Sequence, residues 1–240
     1  MRPRHRMVDR VAGILETVAR SENGLSLTEI ARQVDAPLST CQGLVNGLVA
    51  TGYLDEKARS YRLGVAPYLL NLLAGRGAVN RVDHQDLVDL HAETGMTAII
   101  TVAVGQDQVY IDHCSTDPST AYLAESYMRR SLIRTSSGWI LLADYEQRDL
   151  WAYLQGLPDV DAGRVESLLE HLPEIRRSGI CAIPHVAENP DSDGISVALR
   201  EGNRTVAAVG VVGPHAILAQ RRDEIVETLQ RHAARWHQRD

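Results

Sequence analysis

Apolar positions in the first fifty residues fall at helical spacing three times. Val8, Val11, Ile14, Leu15 and Val18 recur at intervals of three and four, which predicts a helix closed by "NG" at 23 and 24. In "SLTEIARQV", Ser26 and Glu29 have the spacing of a capping box, and Leu27, Ile30, Ala31 and Val34 form one apolar face, so a second helix of nine or so residues follows. After the turn "DAP", Cys41, Leu44, Val45 and Leu48 face inward on a third helix, for which Ser39 is the expected N-cap and Gly52 the stop. That helix carries Gly43 and Gly47 inside it, each costing about 1 kcal/mol relative to alanine, which asks what its outer face must approach.

"YLDEKARSYRL" alternates as two short strands about a charged turn, from Tyr53 to Leu63. Three short helices followed directly by a hairpin are the order of a winged helix-turn-helix, a DNA-binding arrangement. "PYLLNLLA", residues 67–74, opens on a proline suited to a first helical turn and is apolar nearly all round, so it must be buried on more than one side. A twin helix in a second subunit is the expected cover, with core packing inside one chain the alternative. "GRG" at 75–77 marks a boundary.

Beyond it the period changes. A helix near residues 82–93 with Gly95 as its stop precedes "TAIITVAV" and "QVYIDHC", two strands joined by a tight turn. "TSSGWILLAD" opens a short helix at its serines. Helices are expected at about 146–154 and 161–178, with Gly179 as the stop. A strand is expected in "ICAIPHV", a hairpin in "GISVALR" and "TVAAVGVVG", and a charged amphipathic helix over about 219–238. Helices flanking a mostly antiparallel sheet make this an α+β domain. The expected organisation is a DNA-binding domain over 1–63, a linker and dimerisation helix over 64–78, and a ligand-binding and oligomerisation domain over 79–240.

Composition changes this picture in one respect. The net charge of −6 argues against a nucleic-acid partner until it is divided: residues 1–63 hold nine basic and seven acidic side chains, the remainder 16 and 24. The amino-terminal part is therefore net +2 and the rest net −8. Arg2, Arg4, Arg6 and Arg10 crowd the first ten residues, as an arm lying along phosphates would require, although a solvated terminus would look the same. No apolar run reaches the roughly 18 residues of a membrane span and "MRPRHRMVDR" lacks the apolar stretch of a signal peptide, so the expected location is the cytoplasm. Cys41, Cys114 and Cys181 are odd in number and unpaired in spacing, and are expected to be buried apolar side chains rather than disulfides.

With these pieces placed, the chain resembles the IclR family of bacterial transcription regulators over nearly its whole length. The resemblance rests on "GLSLTEIARQVDAPLSTCQGLVNGLVATGYL", "YRLG", the linker helix, "LHAETGMTAIITVAVGQDQVYID", "RTSSGWILLA" and "GISVALREGNRTVAAVGVVGP", in that order. It implies a winged helix that binds an operator in double-stranded DNA, a dimerising linker helix, and a C-terminal GAF/profilin-like domain whose small effector, often an organic or aromatic acid, alters DNA affinity. The expected assembly is a homodimer or tetramer, the expected role is repression, and no cofactor is implied.

The third helix's apolar stripe leaves Ser39, Thr40, Gln42, Gly43 and Asn46 outward. Ser and Thr near a helix start donate to phosphate, and Gln or Asn pairs bidentately with adenine. Glycines 43 and 47 would let the backbone settle deeper into the groove, or would admit another protein element. Relatives commonly carry an arginine where Gly43 stands, so their operator cannot be borrowed. Lys57, Arg59 and Arg62 of the wing are the candidates for backbone or minor-groove contact.

For the effector, the resemblance points to the helix start at Thr135, Ser136 and Ser137, where free amides and the helix dipole attract a carboxylate. Capping alone is the competing role for those hydroxyls. Tyr122, Leu123 and Arg130 lie on the segment that should cover the cavity, and Ser196, Gly210 and Val212 on the strands behind it. Relatives often have acids where Ile183, Pro184 and His185 stand, serines at Gly210 and Val212, and a cysteine at Ser196. Those changes predict a more apolar pocket, either for a bulkier hydrophobic ligand or degenerate and sensing nothing.

An enzyme is the competing class, but no nucleophile elbow, zinc-protease or phosphate-loop motif is present. His113 and Cys114 are strand neighbours that point to opposite faces. Cys181 and His185 are four apart, yet Pro184 between them denies the helix that would bring them together on a metal, so no metal is expected. A third reading makes the winged helix a protein-interaction module.

Overall fold

The computed structural model describes residues 5–74, 79–117 and 127–239. Arg2 and Arg4, the "GRG" boundary at 75–77, and Tyr122 and Leu123 lie outside these stretches. The chain divides into two compact units, residues 1–77 and 78–240, and each has its own core.

The first unit is built from α1 (Arg6–Ala19), α2 (Leu27–Gln33), α3 (Leu38–Ala50), β1 (Leu54–Lys57), β2 (Ser60–Leu63) and α4 (Ala66–Ala74). Arg6 and Arg10 belong to α1, so they ride on a helix and not on an extended arm. The capping box of α2 forms in both directions, with the Glu29 carboxylate accepting the Ser26 N–H at 2.8 Å and the Ser26 hydroxyl accepting the Glu29 N–H at 3.4 Å. Helix α3 starts at Leu38, with its N-cap two residues earlier than expected. Pro37, with φ fixed at −57°, takes the N-cap position without a side-chain bond, and Ser39 is already inside the helix. At its far end Gly52 turns left-handed, φ +74°, and Tyr53 N–H reaches back to the Leu48 carbonyl at 2.9 Å.

Ile14, Ile30, Val45, Leu48, Leu54 and Tyr61 close the core of this unit, each large apolar side chain contributing about 1.5–3 kcal/mol of burial. Leu25 pairs with Tyr61, bracing the wing against the α1–α2 connection. The wing turns through Ala58 and Arg59, both left-handed at φ 53° and 63°. Helix α4 has no buried residue; Tyr68, Leu69, Leu70, Leu72 and Leu73 are all exposed.

The second unit centres on a six-stranded antiparallel sheet in the order β5-β4-β3-β8-β7-β6, from β3 (Thr97–Val104), β4 (Asp107–Cys114), β5 (Arg130–Ser131), β6 (Ile180–Cys181), β7 (Ser192–Glu201) and β8 (Arg204–Pro214). Its helices are α5 (His84–Thr94), α6 (Ser136–Ala143), α7 (Gln147–Leu154), α8 (Ala162–Ser178), α9 (His215–Gln220) and α10 (Arg222–His237). The predicted stops hold, since Gly95 and Gly179 are left-handed at the ends of α5 and α8. One expectation falls short. The strand in "ICAIPHV" is only Ile180–Cys181, because Pro184 and a left-handed His185, φ 61°, cannot continue it. The charged helix expected over about 219–238 is α10, and the short α9 precedes it, separated at Arg221, whose backbone at φ −104° and ψ 16° leaves the helical region.

Strand alternation sorts the sheet into two unlike faces. One carries Ile100, Ile195, Val197, Leu199, Val209 and Val211 against α5, α9 and α10. The other carries Ser196, Ala198, Ala208 and Gly210, all small, where α6 crosses, with α7 and α8 packed outside it. Small side chains let α6 lie close to the strands. A Cβ on Gly210 would run into the Ile195 carbonyl and the Ser196 hydroxyl, so that position is closed to larger residues. Cys41 and Cys181 are buried as expected, but Cys114 is only half-buried, and all three thiols are free. No described helix is long and apolar enough to cross a membrane.

Candidate functional site

On α3 the buried side chains Cys41, Val45 and Leu48 leave Ser39, Gln42, Gly43, Asn46 and Gly47 exposed together, with Thr40 half-buried beside them. The amide of Gln42 donates to the Asn46 side-chain oxygen at 2.8 Å, so the two carboxamides form one row along the exposed face. A Cβ built on Gly43 or Gly47 would meet no atom within 4 Å. Packing inside the described chain therefore does not explain either glycine; the face is open. In the wing, Lys57 and Arg59 are exposed at the tip, whereas Arg62 donates to the Asn23 carbonyl at 3.2 Å and ties the hairpin to the α1–α2 connection.

In the second unit a cavity of about 270 Å³ opens at the start of α6. Arg130, Thr135, Ser136, Ser137 and Val212 line it. Ser196 and Gly210 lie buried behind the lining, and Tyr122 lies outside the described residues. Ile99, Tyr110, Met128 and Val212 supply an apolar wall; Arg129, Arg134, Glu188, Asn189 and Asp193 make the rest polar. Ile183, Pro184 and His185 are not among its lining residues; the next residues of the loop, Ala187, Glu188 and Asn189, line it instead.

The helix start is fixed by hydroxyl bonds made within the protein. Thr135 accepts the Gly138 N–H at 2.9 Å as N-cap and also the Gln108 amide at 2.5 Å. Ser137 donates to the Gln108 carbonyl oxygen at 3.1 Å, and Ser136 shares a bond with Ser196 at 2.9 Å. Gln108, fully buried on β4, thereby clamps the first turn; its place in an alternating strand gave no sign of that role. With the hydroxyls so engaged, the amides of Ser136 and Ser137, which have no acceptor within the helix, are the groups an anion would meet there.

Three arginines and two carboxylates line the cavity. Arg134 bonds the buried Asp161 carboxylate at 3.0 Å and Glu188 at 2.5 Å, and its guanidinium pKa is raised, chiefly by Asp161. The Arg130 guanidinium lies 5.3 Å from the centre of the Tyr110 ring, in cation–π range. Asp193, 5% exposed, accepts the His185 N–H at 2.6 Å and lies 3.1 Å from His215 Nδ1. Burial pushes the nearby Cys181 thiol up to about 12, so it is neither a nucleophile nor a ready ligand at neutral pH.

Comparison with known proteins decides what this pairing of units is. Residues 7–58 match the IclR helix-turn-helix domain, and residues 75–236 match the C-terminal domain of bacterial IclR transcriptional regulators. The chain belongs to the IclR family. As an IclR-family protein it is a DNA-binding transcriptional regulator. It is 28% identical over 189 residues to the HTH-type transcriptional regulator XynR of Escherichia coli, covering 72% of this chain and 71% of that one. To the regulator BhcR of Paracoccus denitrificans it is 26% identical over 219 residues, covering 87% and 77%. Among solved structures, an IclR homolog from Microbacterium hydrocarbonoxydans complexed with 4-hydroxybenzoate aligns with a TM-score of 0.72 at 25% identity, over 96% of this chain and 97% of that one. The IclR fold accounts for the curled antiparallel sheet between two helical layers as well as for the winged helix.

Proposed function

We propose that the protein is a homodimeric or tetrameric repressor that works in the cytoplasm without a cofactor, and whose C-terminal unit senses a small organic acid with an apolar or aromatic body. The observation that carries this reading is the cavity at the first turn of α6, which combines helix amides suited to a carboxylate with the apolar wall of Ile99, Tyr110, Met128 and Val212. The relative crystallised with 4-hydroxybenzoate supports the same ligand class. Ser39, Thr40, Gln42 and Asn46 face the bases and phosphates of the operator, Gly43 and Gly47 let the backbone approach, and Lys57, Arg59 and Arg62 hold the flanking backbone. Helix α4, apolar and exposed in the single chain, is covered by its twin. Ligand binding then alters how two winged helices meet two half-sites, through residues 66–76.

A second reading, an interaction module with a cavity that senses nothing, draws on the internal engagement of the Thr135, Ser136 and Ser137 hydroxyls. A thermal-shift series on the full chain with 4-hydroxybenzoate and other aromatic and aliphatic acids separates the two. A ligand present at about 100 times its Kd stabilises by about 2.7 kcal/mol and raises the melting temperature. The same acid should change the affinity for duplex from the protein's own upstream region. Silence across the series, together with duplex affinity indifferent to salt, would overturn the regulator-with-sensor reading.

A further inference from the structure

Beside the cavity, three side chains from separate parts of the second unit converge. His185 comes from the loop after β6, Asp193 from the start of β7 and His215 from the first residue of α9, and one ligand atom from each lies within 4.8 Å of the others. We propose that His185, Asp193 and His215 bind a late first-row divalent cation such as zinc or cobalt(II).

The spacing fits. Metal–nitrogen and metal–oxygen bonds of about 2.0–2.1 Å place two neighbouring ligand atoms about 2.9 Å apart at a right angle and about 3.4 Å apart at the tetrahedral angle. His215 Nδ1 and Asp193 Oδ2 stand at 3.1 Å, between those limits. The His185 ring lies stacked on the His215 ring, centroids 4.1 Å apart and planes 24° apart, so both ligands reach one ion only after the exposed His185 side chain turns out of the stack to point its ring-plane lone pair at that spot. Two imidazoles and one carboxylate are the donor set that zinc, iron(II) and cobalt(II) prefer over calcium or magnesium, and three protein ligands leave positions open for water or an incoming group.

The backbone holds this arrangement before any ion arrives. His185 N–H donates to Asp193 Oδ2, His215 N–H donates to the Asp191 carbonyl at 3.0 Å, and Gly194 N–H donates to Asp193 Oδ1 at 3.3 Å. Both histidines are thus anchored to the 191–193 segment, and the carboxylate has the outer hydrogen bonds that orient metal ligands. His185 takes its place in a left-handed conformation, φ 61°, that side chains with a Cβ rarely adopt. Spacing in the sequence pointed only to Cys181 with His185; the convergence of residues 185, 193 and 215 comes from the β6–β7 and β8–α9 connections. Asp193 also lines the cavity, so the open positions of the ion adjoin the space a carboxylate ligand would enter.

The test uses the full, untagged chain, stripped with chelator and titrated with cobalt(II). One equivalent should produce the visible absorption of cobalt bound to nitrogen and oxygen donors, and zinc should abolish it. His185→Ala and His215→Ala should each weaken cobalt binding by about tenfold or more, and the double substitution should remove the band. Circular dichroism of the stripped variants checks that the fold is kept; exposed His185 is the safer of the two. Absence of the band from the wild-type chain, or a band of equal strength in the double variant, would overturn the proposal. The readout needs neither DNA nor a cavity ligand, so it stands apart from the sensor reading.

Discussion

Ser136 and Ser196 share a hydrogen bond, 2.9 Å between buried hydroxyl oxygens, that pins the first turn of α6 to the middle of the sheet. Replacing Ser196 by alanine leaves the Ser136 hydroxyl buried without that partner, a loss of about 1–3 kcal/mol. The melting temperature should fall by several degrees, and any ligand affinity located at the helix start should fall with it. A thermal melt checks the first, and a titration with a ligand found in the acid series checks the second. An unchanged melt would show that the bond contributes nothing.

Gly43 and Gly47 allow stability and DNA binding to be moved in opposite directions. Because a Cβ meets nothing at either position, Gly43→Ala and Gly47→Ala should each stabilise the first unit, by up to about 1 kcal/mol. If the backbone lies close to the duplex, the same methyl groups should weaken operator affinity. Melts of the variants paired with fluorescence anisotropy on the operator give both numbers; a tighter complex would refute the close approach.

The wing residues divide by their partners. Lys57→Ala and Arg59→Ala should weaken binding to all duplex sequences alike and lower the slope of log affinity against log salt by about one each. Arg62→Ala should do this and also loosen the hairpin, since its guanidinium reaches the Asn23 carbonyl. Affinity measured over a salt series distinguishes the two behaviours.

Acid should loosen the second unit through its paired carboxylates. Burial alone would raise the Asp86 carboxyl, but hydrogen bonds from Arg239 and the Asp83 N–H outweigh it, and the pKa lies below the ordinary value; Glu93, held by His232 and Arg231 against the same burial effect, behaves alike. A carboxyl lowered in the folded state stabilises fully above its unfolded pKa, about 4. That stabilisation disappears as pH falls through the lowered folded value. Melting temperatures taken from pH 7 downward should therefore drop below pH of about 4, and Asp86→Asn should be less stable at pH 7 with a flatter acid limb.

Helix α4 should report on assembly. Leu69→Glu with Leu73→Glu places charge on an exposed apolar helix that has no partner inside the described chain. Sedimentation at about micromolar concentration should show the dimer fraction lost while the melt of the second unit is kept. A dimer unaffected by both charges would place the contact elsewhere.

What the sequence made legible follows from the range of each signal. The capping box at Ser26 and Glu29, the stops at Gly52, Gly95 and Gly179, and the two long hairpins are local, each set by a few adjacent residues, and the structure agrees with them. The cap of α3 lies two residues before Ser39, because Pro37 fixes the backbone first although Ser39 is a good cap by type. The cavity lining is less legible for a different reason. Position in a family pattern put Ile183, Pro184 and His185 at the ligand, but Pro184 and His185 end the strand, so the residues that arrive are Glu188 and Asn189. Gln108 and Asp193 gave no local sign, because their roles depend on register: Gln108 on the β4 position facing Thr135, and Asp193 on pairing opposite Gly213, next to His215.

The wing's turn through Ala58 and Arg59 has a mechanical consequence. Two consecutive left-handed residues, neither of them glycine, cost about 1–2 kcal/mol apiece, a load that a two-residue hairpin of four-residue strands has few bonds to offset. The tip should therefore unzip before any other part of its unit, with the fastest amide exchange there, and a duplex that clamps Lys57 and Arg59 would be felt as a local freezing of that motion.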